Sequence, residues 1–148
     1  MRLASRLLHL VWRFTRPLTG GARAVVLGEE GVLLVRHTYV AGWHLPGGGV
    51  EAGETFEHAL ARELREEAAV RPIGRPRLFA IYHNTMVTRR DHVALYVVER
   101  FDRAAFAPTR EIAEARFHRA DDLPEGTTEA TRRRIAEVLE RREPDPSW

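Results

Sequence analysis

The stretch from Thr55 to Ala69 restricts the fold of this chain more than any other part of it. Phe56, Leu60 and Leu64 recur at helical spacing, and Thr55 is placed to cap the first turn. Glu63, Glu66 and Glu67 stand at i, i+3 and i+4, so on a helix their carboxylates fall within about 100° of arc. Burying the apolar stripe draws these carboxylates towards the body of the domain, where their repulsion is screened less than in water. A divalent cation resolves that conflict, and oxygen donors at this density suit Mg2+ or Mn2+. Taken alone, a helix rich in Glu and Arg reads as a solvated face; its surroundings decide between the two.

Those surroundings are strands. Ala24–Leu27 and Val32–Val35 flank Gly28-Glu29-Glu30-Gly31 and read as a hairpin. Gly42–Gly49 reads as a loop or bent strand, Leu78–His83 and His92–Phe101 as strands, and Ala115–His118 as a short strand. Thr128–Arg142 reads as a closing helix. Helices and strands so mixed in 148 residues predict one α/β domain with a mixed sheet between helices. The domain is expected over residues 21–142, with residues 143–148 a frayed tail. Residues 1–20 read as a separate amphipathic helical arm, in which Leu3, Leu7, Leu10, Val11 and Phe14 alternate with Arg2, Arg6, Arg13 and Arg16. The arm's apolar face is expected to pack on its own domain or on a second copy in a homodimer. Membrane contact by residues 1–16 and a secretory signal are the alternatives.

Composition removes whole classes of chemistry. The chain has no cysteine, which excludes disulfides, thiolate zinc sites and cysteine nucleophiles. All 23 basic residues are arginine, so the lysine of a P-loop is absent. The formal net charge of +2 is no nucleic-acid footprint. The histidines form no His-x-x-x-His pair, which speaks against zinc. No apolar run approaches the ~18 residues of a membrane span, and a cytoplasmic enzyme is the expectation.

Gly47-Gly48-Gly49 and Glu54 precede the carboxylate helix, and a glycine turn lets the backbone approach a metal or phosphate closely. Gly48, Glu54, Arg62, Glu63, Leu64, Glu66, Glu67 and Val70 together match the Nudix box: Gly, five residues, Glu, seven residues, Arg-Glu-aliphatic-any-Glu-Glu-any-Gly-aliphatic. Six fixed residues agree by chance in roughly one start position in a million. The chain thus resembles the Nudix hydrolase family from Arg23 to Arg142, with one departure: Ala69 replaces the usual glycine. That glycine sits where a helix often ends in a left-handed turn, so a changed terminus is expected, with the geometry of Val70–Pro72 affected.

The resemblance implies an α/β/α sandwich and Mg2+-dependent hydrolysis of a nucleoside diphosphate linked to another moiety, with Mn2+ a substitute ion. It implies Glu63 and Glu67 as principal metal ligands, Glu66 as a further ligand or part of the base, and the Gly47 carbonyl as another ligand. Arg62 would hold the carboxylates and Glu54 the loop and helix start. A further carboxylate from outside the box is expected at Glu111, or else Glu114. For a nucleotide-type substrate the candidate contacts are Tyr39, Tyr82, His83, Arg89 and Arg90, while Trp43 reads as packing. Arg132-Arg133-Arg134 reads as the wet face of the last helix. A Nudix-fold binding or regulatory module without catalysis, and an RNA-end pyrophosphohydrolase, are the rival functions.

Overall fold

Strand β1 (Thr19–Gly28) organises the molecule, a computed structural model that describes residues 18–148. Its end closes a hairpin with β2 (Gly31–His37), Leu27 opposite Val32 and Gly28 opposite Gly31. Its earlier residues leave β2 and lie parallel to β7 (Asp91–Val98) from Thr19 to Val26. The opposite edge of that segment pairs at Gly21–Arg23 with β4 (Gly47–Gly49). β6 (Arg77–His83) continues the sheet beyond β7, while β3 (Trp43–His44) and β9 (Ile112–His118) both pair with β2. A separate two-stranded sheet joins β5 (Val70–Pro72) to β8 (Phe101–Arg103).

The central strands are apolar on both faces, as strands covered on both sides must be. Ala22, Ala24 and Val26 of β1, with Leu33 and Val35 of β2, pack under helix α1 (Phe56–Ala68) through Leu60 and Leu64. The alternate residues Val25, Leu34 and Leu95 face helix α2 (Glu129–Leu139) through Ile135. The period of two along each strand thus places a helix on each face, and the mixed sheet is the filling of an α/β/α sandwich. Leu60 and Leu64 are fully buried, each worth about 1.5–3 kcal/mol relative to exposure. Phe56, at the start of the same stripe, stays 39% exposed.

Helix α1 begins as expected, with Thr55 Oγ1 accepting the His58 amide at 3.1 Å. At its other end the expected change of terminus does not occur. Ala69 itself takes the left-handed conformation (φ 55°, ψ 30°), and its N–H reaches the Arg65 and Leu64 carbonyls. Val70–Pro72 then run directly into β5. Alanine pays roughly 1–2 kcal/mol for this conformation, and glycine loses part of that gain through its freer unfolded chain. Ala69→Gly is therefore expected to raise stability by about 0.5–1 kcal/mol in urea unfolding, whereas a β-branched Ala69→Val should lower it. Equal stability of all three would contradict the strain assigned here.

The tail after α2 also departs from expectation. His83 N–H donates to the Pro146 carbonyl at 2.8 Å and Trp148 N–H to the His83 carbonyl at 3.0 Å. Residues 146–148 thus satisfy part of the open edge of β6, and the Trp148 indole meets Tyr82 edge-on at 5.5 Å. An edge strand with unpaired backbone groups is a strong template, which is why this short segment docks rather than frays. In the Arg132–Arg134 run, Arg132 and Arg133 are exposed but Arg134 is fully buried. Its guanidinium pairs with Glu137 at 2.7 Å and lies 4.3 Å over the Tyr82 ring. β1 begins at Thr19, inside the stretch expected for the arm, and the expectations for residues 1–17 lie outside the described residues.

Candidate active site

Glu63 and Glu67 of α1 look onto a cleft of about 340 Å3 between α1, the β2–β3 loop and β4. Glu63, Glu67, Gly47 and Gly48 form one wall; Arg23, His37, Tyr39 and Glu111 complete the lining with their neighbours. Glu67 is buried, and its two oxygens are held separately. Oε2 accepts the Gly47 N–H at 2.8 Å and Oε1 accepts His37 Nε2–H at 2.9 Å. Glu63 lies across Gly48, where a Cβ would collide with its carboxylate. Gly47 has φ +135°, and a Cβ on it would strike the β1 backbone at Ala22 and Arg23. These two glycines are thus what brings strand backbone against the glutamates.

Behind this wall stands Arg62. It grips Glu54 with Nε and Nη2, both at 2.9 Å, a bidentate pair. Nη2 also donates to the Gly49 carbonyl at 3.0 Å and Nη1 to Glu63 Oε1 at 2.7 Å. Glu54 in turn accepts the Glu51 amide at 3.0 Å, which fixes the turn before the helix. The Arg62 hydrogen bonds hold the Glu54 carboxyl down to about 2. Glu63 moves the other way: desolvation pushes its carboxyl up, with Glu67 and Glu66 adding to it against Arg62. Burial raises the Tyr39 hydroxyl, and Glu67 and Glu111 add to that.

A hard divalent cation fits this donor set. The Glu63 carboxylate lies against Gly48 and Glu67 Oε2 against the Gly47 amide, so two hard oxygen donors face the glycine strand, and burial pushes the Glu63 carboxyl up. Among the described residues no three acidic or histidine side chains already converge as a cage. Glu66 is not among the residues that line the cleft; its side chain is half exposed, 3.7 Å from Arg62 and 3.4 Å from Arg65.

Of the substrate contacts expected from sequence, Tyr39 lines the cleft and the others do not. Tyr82 is fully buried in the core under α2, and its hydroxyl donates to Glu137 at 2.7 Å. Strand alternation turned it inward, since its neighbours Ile81 and His83 take the other face. His83 stacks on His92 at 5.1 Å beside the docked tail, and Arg89 and Arg90 are exposed on the β6–β7 loop. Glu111 lines the cleft, while Glu114 is engaged by Arg36 and Arg116 and is held below the usual carboxylate range by the Arg36 hydrogen bond. Trp43 packs edge-on against His118 at 4.9 Å, as its packing role required.

Sequence reasoning missed Arg23, His37 and His44. His37 and His44 flank the β2–β3 loop, with ring centroids 5.5 Å apart, and burial lowers the His44 imidazole. Arg23 donates through Nη1 to the Leu45 carbonyl at 2.7 Å. An arginine between two alanines of an otherwise apolar strand was the available signal.

The NUDIX domain family model matches residues 17–139. A nucleoside triphosphatase NudI from Enterobacter sp. is 53% identical over 36 residues, 24% of this chain and 26% of that protein. An RNA pyrophosphohydrolase from Halorhodospira halophila is 47% identical over 49 residues, 32% of this chain and 27% of that one. These matches span only about a quarter of the curated relatives' lengths. The crystal structure of a MutT NUDIX hydrolase from Burkholderia pseudomallei superposes with a TM-score of 0.70 at 23% identity, covering 82% of this chain and 98% of that one.

Proposed function

Because the chain belongs to the Nudix family, we propose that it hydrolyses a phosphoric anhydride bond in a nucleoside diphosphate linked to another moiety, with Mg2+ as its cofactor. The observation that carries this reading is the wall of Glu63 and Glu67 against Gly47 and Gly48. Glu63, Glu67, the Gly47 carbonyl and Glu111 would hold the ion, with Glu66 as a further ligand or part of the base. Bound there, Mg2+ would neutralise diphosphate charge and make a water acidic enough to attack near neutral pH. The chain's own groups set the stage: Arg62 keeps Glu63 and Glu54 in register, and His37 and the Gly47 amide fix the Glu67 carboxylate. Tyr39, 68% exposed at the mouth of the cleft, is available to a nucleobase.

The retained carboxylates weigh against a non-catalytic module, which would be free to lose them. An RNA 5′ end is the second reading, supported by the likeness to an RNA pyrophosphohydrolase. Phosphate release over a panel separates these. The panel holds sugar nucleotides, dinucleoside polyphosphates, oxidised nucleoside triphosphates, ADP-ribose and 5′-triphosphorylated RNA. Hydrolysis of at least one small nucleotide in Mg2+, abolished by EDTA, is the expected result. Activity on RNA alone would select the second reading, and silence on every substrate would leave only the binding module.

A further inference from the structure

Arg23 is the only arginine among the described residues that line the cleft, and the wall opposite it is acidic. Its neighbours Ala22 and Ala24 are fully buried, and its side chain takes the same sheet face as Val25. Placing a guanidinium on this strand is costly unless it is used. Among the described residues it makes a single side-chain hydrogen bond, to the Leu45 carbonyl, and no carboxylate oxygen lies within ion-pair distance of it. A guanidinium has five N–H donors in a planar fork, so most of its hydrogen-bonding capacity remains for a ligand in the cleft. The group is also backed from behind. The Trp148 indole lies 6.0 Å from Arg23 Cζ and 5.7 Å from Arg134 Cζ, within cation–π range of both. Trp148 is itself held by its amide on His83 and by Arg133 Nη2 on its backbone oxygen at 3.1 Å.

We propose that the free edge of the Arg23 guanidinium binds a phosphate group of the substrate, and that Trp148 is the positioning residue that holds it there. The inference rests on the hydrolase reading for the identity of the ligand, a diphosphate lying between the carboxylate wall and Arg23. A planar fork suits a phosphate better than a point charge does, so the site asks for arginine and not merely for a cation. Burial lowers the Arg23 guanidinium, with Glu67 and Glu63 opposing that, and its competing use is as a plain counter-charge to those two carboxylates. The two uses differ in what they predict for metal and for phosphate.

The test measures two affinities by calorimetry: Mn2+ alone, and imidodiphosphate, a diphosphate with a nitrogen bridge, in the presence of Mg2+. Arg23→Lys is expected to weaken imidodiphosphate at least about tenfold, equivalent to 1.4 kcal/mol, with Mn2+ affinity within about twofold of wild type. Trp148→Leu should weaken imidodiphosphate by a smaller factor, and Trp148→Phe should restore it, because a phenyl face still backs the cation. With the best nucleotide of the panel, Arg23→Lys should raise KM more than it lowers kcat. Unchanged imidodiphosphate affinity in Arg23→Lys overturns the proposal. So does a parallel loss of Mn2+ affinity, which marks a counter-charge, or a wild type that does not bind imidodiphosphate. Arg23-dependent imidodiphosphate binding in a protein silent on the whole panel would sustain this inference and remove the hydrolase reading instead. Hydrolysis with an unchanged KM in both Arg23→Lys and Trp148→Leu would do the reverse.

Discussion

Glu67→Gln is expected to lower turnover of the best nucleotide at least about 100-fold, while the protein stays folded. The glutamine keeps the shape of the side chain and an oxygen to accept the Gly47 amide, which Glu67 holds at 2.8 Å. Its amide nitrogen would face His37 Nε2, which accepts it once the imidazole proton sits on Nδ1, and what is lost is the charge that would bind the cation. A factor of 100 corresponds to about 2.7 kcal/mol of transition-state stabilisation, modest for a direct ligand of a catalytic metal. Stability should change little, because removing one charge also relieves repulsion on Glu63, whose carboxyl is already pushed up by burial and by Glu67. Steady-state rates and a thermal melt of the same preparation decide the matter. A folded Glu67→Gln enzyme with near-normal turnover would refute the assignment of Glu67.

The largest stability effect is expected at Arg134. Arg134→Met leaves Glu137 buried without its cation, still accepting from Tyr82 and from the Asp145 amide at 3.1 Å. Breaking a buried pair by removing one partner costs about 3–5 kcal/mol, a fall of roughly 6–20 °C in melting temperature for a domain of this size. Arg134 Nη1 also donates to the Ser147 carbonyl at 2.7 Å, so the tail should loosen in the same variant. The double variant Arg134→Met with Glu137→Gln is expected to recover part of the loss. A neutral amide keeps an acceptor for Tyr82 and leaves no unpaired charge. Urea unfolding of the single and double variants checks both statements. A single variant within about 1 kcal/mol of wild type would contradict the role given to the buried pair.

These two residues differ in how much the sequence reveals of them. Glu67 belongs to a local pattern: spacing along one helix fixes which side chains share a face, and the cap at Thr55 and the apolar stripe of Leu60 and Leu64 are legible without knowing what they pack against. Arg134 depends on Tyr82, which approaches it only after β6 joins the sheet, and inside an Arg-Arg-Arg run it resembles its exposed neighbours. Arg23 and His37 escaped notice for the same reason. Arg23 reaches the site through its register opposite Gly47, and His37 through the bulged end of β2 next to β9. Strand pairing across tens of residues sets such positions, and no short window of sequence carries it. The short strands β3, β4, β5 and β8 lack the length for a period of two to show. The retained left-handed turn at Ala69 shows the fold imposing a conformation that its residue type disfavours.

The carboxylate cleft stands or falls with cation binding, and metal-linked stability tests that most directly. Thermal melts are compared in EDTA and in millimolar Mg2+, at constant ionic strength, for wild type, Glu63→Gln and Glu30→Gln. Glu30 lies exposed in the β1–β2 turn, so its variant makes the same charge change away from the cleft. At ten times Kd, binding to the native state alone adds about 1.4 kcal/mol. Wild type and Glu30→Gln should therefore gain roughly 3–6 °C from Mg2+. Glu63→Gln should gain clearly less. An equal Mg2+ shift in wild type and Glu63→Gln would show that the ion binds elsewhere and would contradict the site described here.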